Sequence, residues 1–263
     1  MAGVKGRVAL VTGAGSADGI GFACAKLLLA AGAKVAISST TDRIYQRLEA
    51  LGTAPGMAFA LPADLTKPAD VDALMKGCEA ALGPVDILVN NAGMVQVGHD
   101  APSTHLVDQS PEGWAYGMDI NLTTAFLMTR AALPGMKARG YGRIVHMSSV
   151  TGPVVGIAGS ATYAAAKAGM LGMARALAQE VGWQGITVNC VAPGWIETGS
   201  SSEAEIIAGR HTPIGRPGTP QEVGHMVVFL ASEEASYITG QLMVVDGGNT
   251  VQEYKVALPQ AGA

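Results

Sequence analysis

Tyr163 and Lys167 stand four residues apart in Ser160-Ala161-Thr162-Tyr163-Ala164-Ala165-Ala166-Lys167, at the start of a segment with strong helical character. That spacing sets phenol and ammonium on one helix face. A free phenol has a pKa of about 10, so only ~0.1 % is ionised at neutral pH. A neighbouring ammonium can lower that value and turn the phenol into a usable acid/base. Upstream, the apolar run Arg143–Met147 ends in Ser148-Ser149, and a serine there could hydrogen-bond a substrate oxygen as negative charge builds on it. Each feature alone has a plain alternative: a surface Tyr/Lys pair, and a turn or helix-cap serine.

A second chemistry-bearing stretch lies at the other end of the chain. The run Arg7–Thr12 leads into Gly13-Ala14-Gly15-Ser16-Ala17-Asp18-Gly19-Ile20-Gly21, and a helical pattern follows. Glycines between a first strand and a first helix allow backbone N–H groups and a helix N-terminus to approach a pyrophosphate. The alternative is a flexible turn. About 20 residues further on, an acid would grip the adenosine ribose of NAD. Here the second strand ends in Ser38-Ser39-Thr40-Thr41, with Arg43 close by. Hydroxyls and a guanidinium suit a 2′-phosphate and favour NADP(H), while Asp18 and Asp42 weigh against it and keep NAD(H) open.

These residues need a scaffold, and the apolar pattern supplies one. Candidate strands are Arg7–Thr12, Lys34–Ser38, Met57–Leu61, Asp86–Asn90, Arg143–Met147, Ile186–Val191 and Gln241–Val245. Helical periodicity runs through Gly21–Ala31, Pro68–Leu82, Gly113–Met136 and Ala161–Val181. Short apolar runs separated by crossovers of this size read as an α/β fold, a doubly wound seven-stranded parallel sheet with helices on both faces. The 263 residues carry no composition shift or linker, so one dinucleotide-binding domain is expected, with its core at about 6–249 and a mobile tail from about 257. The irregular stretches Val95–Ser110 and Trp195–Pro220 follow strands, which places them at the carboxyl edge where ligands bind, the second as a lid.

Composition narrows the partners. A net charge of −4 proposes neither nucleic acid nor an anionic membrane surface. No run reaches the length of a membrane span, and no signal-peptide pattern opens the chain. Cys24, Cys78 and Cys190 are widely spaced and odd in number, and the five histidines form no ligand pattern. A disulfide framework or metal site is therefore not expected, and a cytoplasmic location is.

Taken in order, Thr12-Gly13…Gly19-Ile20-Gly21, Asn90-Asn91-Ala92-Gly93, Asn121, Ser149, Tyr163-x-x-x-Lys167 and Pro193-Gly194 resemble the short-chain dehydrogenase/reductase family, with a similar closing stretch Tyr237-Ile238-Thr239-Gly240…Asp246-Gly247-Gly248. The resemblance spans about 6–249. It implies a Rossmann fold, a nicotinamide cofactor and hydride transfer between a ketone and a secondary alcohol, in the manner of 3-oxoacyl reductases or of alcohol and sugar dehydrogenases. Tyr163 would exchange the proton, Lys167 would lower its pKa and hold the nicotinamide ribose, Ser149 would orient the substrate oxygen, and Asn121 would position a water. Gly13, Gly15, Ser16, Asp18, Gly19 and Ile20 would cradle the pyrophosphate, with Ser38, Ser39 and Thr40 at the adenosine ribose. Asp64 and Leu65 would border the adenine. Asn90, Asn91, Ala92 and Gly93 would line the adenosine side, and Pro193, Gly194, Ile196 and Thr198 would meet the nicotinamide.

Two departures from the family pattern stand out. The glycine loop is two residues longer, and the Gly93–Asn121 segment, with His99, Asp100 and His105, is extended. The family resemblance also implies a homotetramer paired through the Tyr163 helix and the closing strand, acting on a small carbonyl or alcohol substrate. A non-catalytic dinucleotide sensor on the same fold is the alternative from another class, disfavoured because Tyr163, Lys167, Asn121 and Ser149 are all present.

Overall fold

The computed structural model describes residues 3–93 and 105–253. Seven strands form one sheet in the order β3-β2-β1-β4-β5-β6-β7, every neighbouring pair parallel. They are β1 (Val8–Val11), β2 (Lys34–Ser39), β3 (Ala58–Pro62), β4 (Ile87–Asn90), β5 (Gly142–Met147), β6 (Ile186–Pro193) and β7 (Leu242–Val245). All seven expected strands are present, with ends displaced by at most two residues.

The central strands are apolar on both faces because helices cover both. On one face Leu10, Leu88, Ile144 and Val188 pack with α3 (Pro68–Leu82), α5 (Thr124–Arg139) and α6 (Ala161–Val181). On the other, Val11, Ile37, Val89 and Val145 pack with α1 (Ile20–Ala30), α2 (Arg43–Leu51) and α8 (Pro220–Ala231). Full burial of a side chain such as Leu28 or Leu74 stabilises the fold by about 1.5–3 kcal/mol. The chain winds from β1 outward through β2 and β3, then returns to place β4 on the other side of β1. That reversal opens a crevice at the carboxyl ends of β1 and β4, the switch point where such sheets take ligands.

Two local differences from the sequence reading shape the site. The expected single helix Gly113–Met136 is α4 (Pro111–Met118), a π turn at Asp119–Thr123, then α5. The wider turn is tolerated because the helix path continues on either side, and Asn121 sits within it. The lid Trp195–Pro220 is not irregular throughout. It contains α7 (Glu203–Arg210), started by a capping box between Ser202 and Glu205. Its ends are pinned together by Glu197 N to Gly218 O and Gly218 N to Trp195 O, both at 2.9 Å. Of the other expected irregular stretch, residues 95–104, with His99 and Asp100, lie outside the described residues, as does the tail from 257. His105 is exposed, and Leu106–Asp108 form a single 3₁₀ turn.

Candidate active site

Thr12 locks the turn that follows β1. Its Oγ1 accepts the backbone N–H groups of Asn91 and Ala92, each at 3.0 Å. The Asn91 side-chain amide then donates to the carbonyls of Thr12 and Gly13 at 3.1 and 3.0 Å. Gly13 has φ 68°, and a Cβ there would come within 2.8 Å of the Ala92 backbone, so a side chain is refused twice over. At Gly15 a Cβ would meet Arg43 Nε at 2.6 Å and Ser39 Cβ at 2.8 Å. Gly19 begins α1 without a side-chain cap, which leaves the first-turn N–H groups to a ligand or water. A side-chain-free cradle facing uncapped donors at the positive end of a helix fits a dinucleotide pyrophosphate.

The adenosine end corrects several expectations. Ser38 is fully buried and its Oγ has no hydrogen-bond partner, because β2 is an interior strand that turns this side chain inward. Ser39 Oγ donates to Thr41 O at 3.0 Å, and only Thr40 of the three hydroxyl residues is exposed. Asp64 uses Oδ1 to accept from Thr66 N and Thr66 Oγ1 at 3.1 and 2.7 Å, while Leu65 is a core side chain, so the backbone and not the leucine is offered there. Asn90 does not line the crevice. It is buried, and its Nδ2 donates to Thr129 Oγ1 at 3.0 Å and reaches His146 Nδ1 at 3.1 Å. The Asp18 carboxyl accepts from Ser16 Oγ at 2.6 Å and from the Gly199 backbone, which hold its pKa below the usual carboxylate value. It therefore faces the lid, not Ser39 and Arg43.

The inner arm of the crevice is a cavity of about 450 Å³. Among the expected residues Ile20, Asn91, Gly93, Asn121, Ser149, Tyr163, Lys167, Pro193, Gly194, Ile196 and Thr198 line it. The end of β5 and the first turns of α6 are stitched there. Lys167 Nζ donates to Met147 O, and Ser148 Oγ donates to Lys167 O, each at 2.9 Å. Ser148 is thus occupied with the backbone, whereas Ser149 lines the cavity with Tyr163 and accepts from Thr151 N at 3.1 Å. Gly93 lets Asn121 and Lys167 converge: a Cβ there would lie 2.8 Å from Asn121 Oδ1 and 3.3 Å from Lys167 Nζ.

The electrostatics differ from the simple expectation that Lys167 lowers the Tyr163 pKa. Burial raises the phenol above its ordinary value, the Ser149 hydrogen bond opposes this, and the Glu205 carboxylate adds to the rise. The Lys167 ammonium lies 5.4 Å from the Tyr163 ring centroid and is spent on Met147 O. Burial brings its own pKa down to about 8. In this state the pair is a protonated phenol beside a weakened cation.

Of two further features, one is only partly legible in the sequence, where Glu203, Glu205, Arg210 and His211 mark Gly199–Pro217 as a specificity segment, and one is not legible at all. Trp195, Ser200, Ser201 and Glu205 line the cavity from the lid, and their range, though not their roles, was marked by the position of that segment after β6. His146 lies fully buried behind Lys167, its pKa pushed down to about 4 by burial and then by the lysine charge. No local pattern marks a histidine inside a strand as a neighbour of a lysine 21 positions later.

Residues 13–250 match the family model described as enoyl-(acyl carrier protein) reductase. The chain is 41% identical over 249 residues to the 3-oxoacyl-(acyl-carrier-protein) reductase FabG of Vibrio cholerae, covering 93% of this chain and 98% of that one. The Escherichia coli protein of the same name is 40% identical over 250 residues, covering 93% and 97%. Nodulation protein G of Rhizobium meliloti is 42% identical over 253 residues, with the same coverage of 93% and 97%.

Proposed function

The chain belongs to the short-chain dehydrogenase/reductase family, and on that premise we propose that it reduces 3-oxoacyl thioesters or closely related 3-oxo compounds with NADPH. It is a nicotinamide-dependent oxidoreductase acting between carbonyl and alcohol. The observation that carries the reading of the reaction is the convergence of Asn121, Ser149, Tyr163 and Lys167 on the wall of one cavity. Relatives of about 40% identity named as 3-oxoacyl reductases support it.

The bound cofactor supplies the hydride, and the protein supplies the rest. Ser149 and Tyr163 direct two O–H groups at the substrate oxygen, where negative charge grows as the carbonyl is reduced. Tyr163, kept protonated by burial, gives its proton to that oxygen. Lys167, its ammonium 5.4 Å from the Tyr163 ring centroid, stabilises the phenolate that remains, and a proton from solvent entering beside Asn121 restores the phenol. Asn121 is held by Nδ2 donating to Gly117 O at 3.1 Å, which fixes the direction of its carbonyl oxygen. For the cofactor, Arg43 beside Ser39 and Gly15 supports NADP(H), because a guanidinium binds a 2′-phosphate and gains nothing from a bare ribose.

Reduction of an enoyl double bond is the second reading, favoured by the description of the matching family. Consumption of NADPH with a 3-oxobutanoyl thioester, followed by identification of the product, tests both. Formation of the 3-hydroxy compound is expected. Inertness of this substrate alongside turnover of the matching enoyl thioester would replace the first reading with the second.

A homotetramer is part of this proposal. The outer faces of α5 and α6 form a groove of about 670 Å³ with Phe126, Leu133 and Met173 on its walls, and Phe126 is 47% exposed. A cytoplasmic location is also proposed, supported by three buried free cysteines. Among the described residues no helix is long and apolar enough to cross a membrane.

A further inference from the structure

Lysine and glutamate are the only charged side chains among the described residues that line the 450 Å³ cavity: Lys167 and Glu205. They are not equivalent. Lys167 is 3% exposed and its ammonium is bonded to Met147 O at the end of β5, so its charge lies at the Tyr163 end of the cavity and not on the lid. Glu205 stands on the first turn of α7 in the lid. Both of its hydrogen bonds, from Ser202 N at 2.7 Å and from Ser202 Oγ at 3.0 Å, fall on Oε2. They fix the carboxylate at a helix N-terminus, where negative charge is favoured, and leave Oε1 open to an incoming donor. The rest of the lid wall is Trp195, Ile196, Thr198, Ser200 and Ser201, neutral groups that cannot balance a second anion.

We propose that Glu205 determines specificity: it selects 3-oxo substrates whose tail is neutral or carries an N–H, O–H or ammonium donor, and it rejects free 3-oxo carboxylates. This rests on the reading of the cavity as a 3-oxo reductase site and deepens it. A thioester or amide passes because its tail is uncharged near the carbonyl and its amide N–H groups can meet Oε1. A carboxylate brings a like charge into a site partly shielded from water, where the repulsion exceeds its value in bulk solvent.

The test compares three compounds that share one reacting carbonyl: 3-oxobutanoate, its ethyl ester, and an amide of it ending in an ammonium. The wild-type protein should prefer the ester and the ammonium amide to the carboxylate by about tenfold or more in kcat/KM. Glu205→Gln keeps an oxygen for the Ser202 cap and should collapse that preference. Glu203→Gln, on the same helix but outside the cavity lining, should leave it intact. Added salt should also shrink the wild-type preference, a readout that needs no variant. Equal preference in wild type and Glu205→Gln, or a wild-type preference for the carboxylate, overturns the inference. Failure of all three compounds to react overturns the 3-oxo reading instead; the charge preference is then read by calorimetric competition among them on the cofactor complex.

Discussion

Lys167 Nζ donates to the carbonyl of Met147 at 2.9 Å, so the ammonium that should serve Tyr163 is anchored to the last residue of β5. Because Ser148 Oγ returns a bond to Lys167 O, strand and helix hold each other in register across the floor of the cavity. The consequence is chemical as well as structural. With the ammonium directed at a carbonyl, burial governs the Tyr163 phenol and keeps it protonated, the form a carbonyl reductase needs.

Tyr163 should accordingly titrate above the ordinary phenol value in the cofactor-free protein. Difference absorbance between wild type and Tyr163→Phe isolates its phenolate from those of the other tyrosines. The phenolate should appear only above the range in which the other tyrosines ionise, and carbonyl reduction should stay flat through neutral pH and fall as Tyr163 ionises. A Tyr163 phenolate already formed near pH 8 would show that Lys167 controls the phenol after all.

Cofactor choice should follow Arg43 and Ser39. Arg43→Ala should weaken NADPH binding by about ten- to a hundredfold and leave NADH nearly unchanged, since a charge-assisted hydrogen bond is worth roughly 1.5–3 kcal/mol. Ser39→Asp should shift preference towards NADH by repelling the 2′-phosphate. Calorimetric titration with both cofactors at one salt concentration reads each. An unchanged NADPH/NADH ratio in both variants would remove the basis for an NADP(H) preference.

His146 should make stability pH-dependent. Its folded pKa of about 4 lies below the 6.5 of a free histidine, so between those values the unfolded chain takes up a proton that the folded protein refuses. Stability therefore falls as pH drops through this window, by up to about 3 kcal/mol in full. His146→Gln cannot charge and should flatten the slope. Urea unfolding at pH 7 and pH 5 measures it; parallel losses in variant and wild type would place the acid sensitivity elsewhere.

The groove between α5 and α6 should lie at a subunit contact. Phe126→Glu with Met173→Glu should lower the assembly state in sedimentation, with the sheet intact by circular dichroism. An unchanged particle mass would move the contact away from these helices.

The strands were legible because a parallel sheet covered on both faces needs uninterrupted apolar runs, and Val8–Val11 and Ile87–Asn90 are too short for helices and are separated by helical stretches. Tyr163, Lys167, Ser149 and Asn121 were legible as an ordered set, and the fold brings all four to one cavity. What escaped was side-chain direction. Ser38, Asn90 and Leu65 hold the positions a cofactor would touch, yet strand alternation and core packing turn each side chain inward. The π turn at Asp119–Thr123 has no sequence mark, because one wider turn inside a helix leaves the local composition unchanged. Glu205 needed the fold of the lid to bring it over Tyr163.

The most direct test of the central claim is NADPH consumption with a 3-oxobutanoyl thioester by wild type and Tyr163→Phe, with NADPH affinity measured on both. Loss of the phenolic oxygen should cut kcat by about 10²–10⁴-fold and leave the affinity within a factor of about two, because the ring keeps its packing and only the proton donor is gone. Turnover by Tyr163→Phe at a rate close to wild type would contradict the account, since the proton would then come from some other group.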